Sequence, residues 1–323
     1  MSPTAPLRWA AGQFSPAGPR GRLTILIYHR VLSKPDAMRE GEVDIAAFDW
    51  HMEVLAGNFN VLPLVEAVQR LRASSLPARA AAITFDDGYA DNVENALPVL
   101  TRYGLNATFF IGTAYLNGGR MWNDSIIEAV RRAPLSILDL RSLDLGSYPS
   151  ANIDERRETA TTLIRDLKHR PQAERNRLTQ GICDIVGTEL PASLMMRDEQ
   201  VLELCRAGMG IGAHTATHPI LTRLNAQEAR SEIASGREYL AALTGQAVEL
   251  FAYPNGLPRR DYTAEHVETV RDLGFKAALS TASGAGSADS DLFQLPRFTP
   301  WDTTPGRFLL RLVLNYRQQT QVA

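Results

Sequence analysis

Three short runs, residues 23–29, 80–85 and 107–111, are apolar and partly β-branched along nearly their whole length. Apolar runs without alternation fit strands buried on both faces. Helical spacing fills the stretches between them. Phe48, Met52, Leu55 and Ala56 fall on one side of a helix over 48–59, a second helix covers 64–73, and a third covers 92–103 despite Pro98, with Gly104 as its stop. Strand, helix, strand in this order predicts a parallel α/β architecture.

The pattern changes after Gly118-Gly119. From Met121 to about Arg206 the periodicity is mostly helical, with candidate helices over 125–132, 154–170, 173–186 and 197–207. The α/β order then returns, so residues 121–206 read as a helical insertion rather than a second domain. A strand over 209–214 precedes a long helix over 225–244, which Asn225 caps with Glu228 three residues on and Gly245 just past the end. Further strands follow at 250–253, 275–279 and 292–298, with a helix at 263–273. A C-terminal helix over 307–317 is amphipathic and basic on one side. It reads as packed on the barrel, and the sharper alternative is a peripheral contact with a membrane surface.

Residues 1–22 are rich in Pro, Gly and Ala and read as a flexible leader, leaving residues 23–323 as the folded unit. No apolar core of a secretory signal is visible and no stretch reaches the roughly 18 apolar residues of a membrane span. The default expectation is a cytoplasmic protein. Lys plus Arg is 34 against 36 Asp plus Glu, a net charge of −2, which argues against a nucleic-acid partner. Two cysteines, Cys183 and Cys205, exclude a disulfide framework and a Cys-rich zinc site.

Two clusters carry chemistry. Thr84-Phe85-Asp86-Asp87-Gly88-Tyr89 sets two adjacent carboxylates where an apolar strand ends, the edge on which parallel α/β folds build their sites. Neighbours on an extended chain point in opposite directions, so one acid can bind a cation while the other stays free as a base. An isolated Asp-Asp-Gly is otherwise an ordinary turn. His214-Thr215-Ala216-Thr217-His218 offers imidazoles at i and i+4, which meet on one face of a helical turn and can share a divalent ion. Two histidines and one aspartate leave a coordination position open, and a free carboxylate beside an open site suits a metal-dependent hydrolase.

These two clusters, with Phe251-Ala252-Tyr253-Pro254-Asn255-Gly256 as a third, make the chain resemble the polysaccharide deacetylases (NodB homology, carbohydrate esterase family 4). The third motif takes the form of the poly-N-acetylglucosamine deacetylase-like branch. The resemblance covers roughly residues 23–298, interrupted by the insertion. It implies a distorted (β/α)7 barrel and a divalent ion, usually Zn2+, held by Asp87, His214 and His218. It implies Asp86 as general base, with Asn255 and Tyr253 at the substrate or oxyanion position. The substrate implied is an acetamido sugar in a polysaccharide, oligosaccharide or glycolipid precursor. An O-acetyl esterase using the same site and a catalytically silent carbohydrate binder remain as alternatives.

The chain departs from that family's pattern twice. The third-motif Arg that orients the base is Ala252 here, and the late Leu-x-x-His is Leu295-Pro296-Arg297-Phe298, without its His. Arg297 is the candidate replacement for the missing Arg. His29, at the end of the first strand, is the candidate general acid. Trp122, which opens the insertion with Asn123 and Asp124, is a candidate sugar-stacking wall or the apolar staple of a helix start. Trp301 and Asp302 pose the same choice. His51, His169 and His266 read as solvated surface residues.

Overall fold

The apolar runs form parallel strands of one curled sheet. In the computed structural model, which describes residues 5–133, 136–318 and 320–323, the strands stand in the order Leu23–Tyr28, Ala80–Phe85, Ala107–Ile111, Gly210–Ala213, Leu250–Ala252, Ala277–Leu279, each paired in parallel with the next. Every residue of the first three is buried, the physical reason they lack a polar alternation. A short strand, Asn60–Val61, adds beside Ala80–Ala81.

The segment expected as the last strand is not a regular one. Leu292–Gln294 is a 3-10 turn. Beyond it, Leu295 bridges Leu279 and Phe298 bridges Leu26, both in parallel. The Phe298 N–H donates to Ile25 O at 2.7 Å and the Ile27 N–H to Phe298 O at 3.0 Å. This segment therefore lies between the last strand and the first, and it closes a distorted (β/α) barrel.

The helix expected over 92–103 begins instead with a π turn, Asn92–Ala96, and continues as Leu97–Arg102. Pro98 is the cause: it lacks an N–H and its ring crowds the carbonyl four residues back, so the preceding turn widens. The N-terminal segment also differs from a flexible leader. Ala5–Phe14 is a helix that lies against the C-terminal helix Pro305–Asn315, with Ala11 fully buried. The C-terminal helix buries Phe308, Leu309, Leu312 and Val313 in the barrel core. His51 is buried beneath it rather than solvated: its ring stacks on Phe308 at 4.4 Å and its Nδ1 shares a hydrogen bond with the Tyr28 hydroxyl. Burial lowers the His51 pKa to about 4, so the ring is neutral at pH 7. His266 is buried too, with Nδ1 accepting from the Thr263 N–H at the start of its helix. His169 is exposed, as expected.

Within the insertion, helices Trp122–Arg132, Ile153–Lys168 and Gln172–Val186 bury Ile126, Val130, Leu163, Leu178 and Ile182 in a cluster of their own. An antiparallel pair, Ile137–Asp139 with Ser147–Pro149, stands between the first two, in a stretch read as helical. Asp198–Arg206 behaves differently. It buries Val201 and Leu204 in the main core, so it is the barrel helix leading into Gly210–Ala213 rather than part of the insertion. No helix among the described residues is long and apolar enough to cross a membrane.

Candidate active site

The two adjacent aspartates separate where the Ala80–Phe85 strand stops. The Asp86 N–H still pairs with Tyr28 O at 2.9 Å, extending the ladder by one residue. Asp87 then takes φ 76° and Gly88 φ 93°. A side chain at Gly88 is excluded twice, by that angle and because a Cβ there would lie 2.9 Å from Ile111 Cγ2. The turn sends the two carboxylates to different partners. Asp86 meets Arg297 in a two-point pair, Oδ1 with Nη1 and Oδ2 with Nη2, both at 2.7 Å, with both side chains buried. Arg297 is itself fixed by Nε donating to Ser280 O at 2.8 Å. Burial raises the Asp86 pKa, but Arg297 and then His214 outweigh it, and the net shift is downward. Asp86 is therefore ionised throughout the neutral range.

Asp87 faces the histidines. Its Oδ1 lies 3.4 Å from His214 Nε2 and 3.3 Å from His218 Nε2. The histidines meet through a loop, not the helical turn their spacing suggests. Thr215 and His218 both adopt left-handed φ, 61° and 52°, and the Thr215 hydroxyl accepts from the His218 N–H. The long helix Ala226–Thr244 shapes this loop from below. Its Glu232 carboxylate accepts from the Ala216 and Thr217 N–H groups and the Thr217 hydroxyl. Gly236 allows the close approach, because a Cβ there would sit 2.6 Å from Thr215 O.

The donor set suits a divalent ion such as zinc. One ligand atom each from Asp87, His214 and His218 lies within 4.8 Å of the others. Asp87 Oδ1 is buried without a hydrogen-bond partner, the signature of an acceptor shaped for something else. His214 Nδ1 lies 2.8 Å from Ala252 O, which fixes the proton there and turns the Nε2 lone pair toward Asp87. Burial lowers the His218 pKa to about 4, leaving that ring neutral. Burial acts the same way on His214, but the carboxylates of Asp86 and Asp87 outweigh it and raise its pKa.

A cavity of about 430 Å³ opens over these groups, with His29, Glu42, Asp86, Asp87, Asn123 and Asn255 among its walls. His29 follows the first strand, and its carbonyl accepts from Asn92 Nδ2 at 2.9 Å. The π turn thus anchors the strand end that carries His29. Asp91, just before that turn, pairs with Arg30 Nε at 2.8 Å and reinforces the anchor. Asn255 takes φ 60°, and among the described residues its N–H donates to no acceptor.

The model of the family described as "Polysaccharide deacetylase" matches residues 73–278, more than half of the chain. The chain belongs to the polysaccharide deacetylase family. YxkH of Bacillus subtilis (strain 168), whose name places it among the polysaccharide deacetylases, is 23% identical over 278 residues, 85% of this chain and 70% of its own length. Among solved structures, the Streptococcus pyogenes deacetylase PplD in complex with acetate aligns over 90% of this chain and 98% of its own, with TM-score 0.61 and 18% identity. IcaB from Ammonifex degensii aligns over 94% and 99%, with TM-score 0.59 and 18% identity. At that identity the two structures show the shared barrel fold.

Two residues of this deacetylase stand elsewhere than their sequence neighbours suggest. Tyr253 is fully buried, its ring stacked on Tyr262 at 3.8 Å and its hydroxyl donating to Phe293 O at 3.0 Å. Its side chain is committed to the core, while Asn255, in the turn beyond the strand with its left-handed φ, lines the cavity. Trp122 packs against the insertion core with the Arg175 guanidinium 4.9 Å over its ring, and it is not among the cavity's wall residues. Asn123, one residue on, is. Trp301 is exposed under Arg311, and Asp302 pairs with that arginine, so both are tied to the C-terminal helix. Sequence reasoning missed Arg39 and Glu42. They lie in an aperiodic loop with no motif around them. The one signal was the charge density of Asp36 to Glu42 just ahead of a helix.

Proposed function

We propose that this deacetylase removes N-acetyl groups from an acetamido sugar of a polysaccharide, oligosaccharide or glycolipid precursor. Asp87, His214 and His218 would hold the divalent ion, with zinc the best match to one carboxylate and two imidazoles. The observation that carries the reading is the divergence of the paired acids: Asp86 locked on Arg297, Asp87 turned to two imidazoles. When bound, the ion would polarise the acetyl carbonyl and make a water more acidic. Asp86 accepts the proton of the attacking water. Arg297 keeps Asp86 ionised and aimed, the part played in many relatives by the arginine that Ala252 replaces here. The free N–H of Asn255 faces the developing oxyanion. His29 returns a proton to the departing amine nitrogen. The amide C–N bond breaks, and acetate and a free amine leave.

One experiment tests both the reaction and its acid. Purified protein is analysed for metal and assayed for acetate release from N-acetylglucosamine oligomers and from acetylxylan. Release from the oligomers, stopped by a chelator and restored by zinc, is the expected result. Release from acetylxylan alone reassigns the site to ester hydrolysis, and bound zinc without any release makes the protein a silent binder. His29→Ala is expected to lower kcat by about 100-fold or more. A kcat intact over about pH 6–9 removes His29 from the role.

The substrate's setting rests on a separate feature. The outward stripe of the C-terminal helix combines Arg307, Leu310 and Leu314, and Arg317 follows in register. Leu310 and Leu314 are 44% and 46% exposed. We propose that this basic and apolar stripe rests on an anionic bilayer, where a lipid-linked glycan is presented. Vesicles containing phosphatidylserine are expected to sediment the protein, and Leu310→Asp with Leu314→Asp is expected to abolish this. Equal sedimentation of both proteins removes the contact.

A further inference from the structure

Part of the cavity's wall comes from two elements outside the barrel, the loop before Ile45–Asn58 and the first insertion helix, Trp122–Arg132. We infer that Glu42 and Asn123 on this wall read the hydroxyl groups of the sugar ring and determine which acetamido sugar is accepted. This deepens the reading proposed above and rests on it.

The wall is rigid. Arg39 Nη2 lies 2.7 Å from Asp124 Oδ1 and 3.3 Å from Glu128 Oε1, which ties the loop to the helix. The Tyr89 hydroxyl donates to Asp124 Oδ2 at 2.9 Å, which ties the helix to the turn carrying Asp86 and Asp87. Met38, from the same loop, is buried in the insertion's own cluster. A buried ion pair to Asp124 together with charge-assisted hydrogen bonds to Glu128 and from Tyr89 holds a fixed geometry. Glu42 and Asn123 are thereby set at a defined place relative to the catalytic turn.

Both residues have polar capacity that the protein leaves unused. Among the described residues no donor bonds the Glu42 carboxylate, although its backbone N–H is paired with Arg39 O. Asn123 Oδ1 is buried with no partner. A carboxylate accepts from hydroxyls, and an amide both donates and accepts. Together they match neighbouring hydroxyls on a pyranose. Met38 and Ile127 line the same wall and supply the apolar surface that the C–H face of a sugar ring requires. A site built to hydrogen-bond hydroxyls discriminates strongly against a ligand that presents them wrongly.

The test uses the full chain as wild type, Glu42→Gln and Asn123→Ala, loaded with zinc. Acetate release is followed on oligomers of N-acetylglucosamine and of its C4 epimer, N-acetylgalactosamine. Each variant is expected to raise KM for the preferred sugar about tenfold, with a much smaller change in kcat. The preference between the two sugars is expected to shrink. Zinc content and Tm should match wild type. An unchanged KM and preference in both variants overturns the inference while leaving the deacetylase reading intact. Loss of zinc from Glu42→Gln also overturns it, by making Glu42 a ligand of the ion. No acetate from either oligomer with wild-type protein defeats the reading and the inference together.

Discussion

Asp87→Gly is expected to give a folded protein that holds no zinc and releases no acetate. Glycine is the informative replacement because position 87 has φ 76°, which an alanine would adopt only under strain. The fold is thereby spared and only the carboxylate is lost. Asp87 Oδ1 is the atom both imidazoles face, at 3.4 Å and 3.3 Å. Without it two neutral nitrogens remain, and zinc sites of this type use three protein ligands. Elemental analysis should find zinc at less than about a tenth of the wild-type level, and turnover should fall to background. Full zinc occupancy in this variant would place the ion elsewhere and sink the assignment. The same geometry sets a pH dependence. Binding requires His214 neutral, yet Asp86 and Asp87 raise its pKa. Protons therefore compete with the ion as pH falls, and the apparent affinity for zinc should begin to weaken at or above the ordinary histidine range of about 6.5.

Arg297→Ala is expected to be the most destabilising single change at the site. The arginine and Asp86 are both buried, and removing one partner leaves an uncompensated charge in the core. Such losses cost about 3–5 kcal/mol, which for a chain of this size lowers Tm by about 4–7 °C. The pH dependence weakens with it. In the wild type the Asp86 pKa is lowered, so its contribution is present at neutral pH and is lost as pH falls through the folded value. In the variant the largest lowering influence is gone, while burial still raises the Asp86 pKa and His214 and His29 still lower it, so it lies above the wild-type value. The folded variant then holds the Asp86 proton more tightly than the folded wild type does, so less of the stability the ionised carboxylate contributes at neutral pH is retained. The Tm gap from wild type should therefore widen from acid to neutral pH. Arg297→Lys should not rescue activity, because one ammonium cannot make both contacts. The double variant Asp86→Asn/Arg297→Leu should recover much of the stability and remain inactive. A Tm for Arg297→Ala within about 2 °C of wild type would contradict the buried pair.

The barrel strands were legible because their cause is local. Residues buried on both faces, such as Leu23–Tyr28 and Ala80–Phe85, must be apolar throughout, and that pattern is visible in one dimension. The helix from Asn225 was legible for a similar reason, since its cap pair with Glu228 forms as spaced. The barrel's closure was not. Leu295 and Phe298 each make one bridge, too little to impose a strand signature on the sequence. His51 and His266 look like surface histidines on their own helices, and only packing from the C-terminal helix and from Leu221 buries them. At the site, Asp86, Asp87 and the two histidines stood out as motifs, but the loop joining His214 to His218 did not. It depends on Glu232, which lies on a helix that merely passes nearby. Arg39 and Glu42 were invisible for the same reason, because their meaning lies in what Asp124 and Asn123 bring to them from far along the chain.

The tie from Tyr89 through Asp124 to Arg39 bears on how this protein could exchange parts with its relatives. A chimera that grafts only the contiguous insertion would strand a guanidinium and a phenol at the seam. The unit fit for transplant is scattered along the chain: the loop with Met38 and Arg39, Tyr89, and the helix bearing Asp124 and Glu128. Divergence in this lineage should accordingly move those pieces as a set, retuning the glycan while the barrel beneath stays as it was.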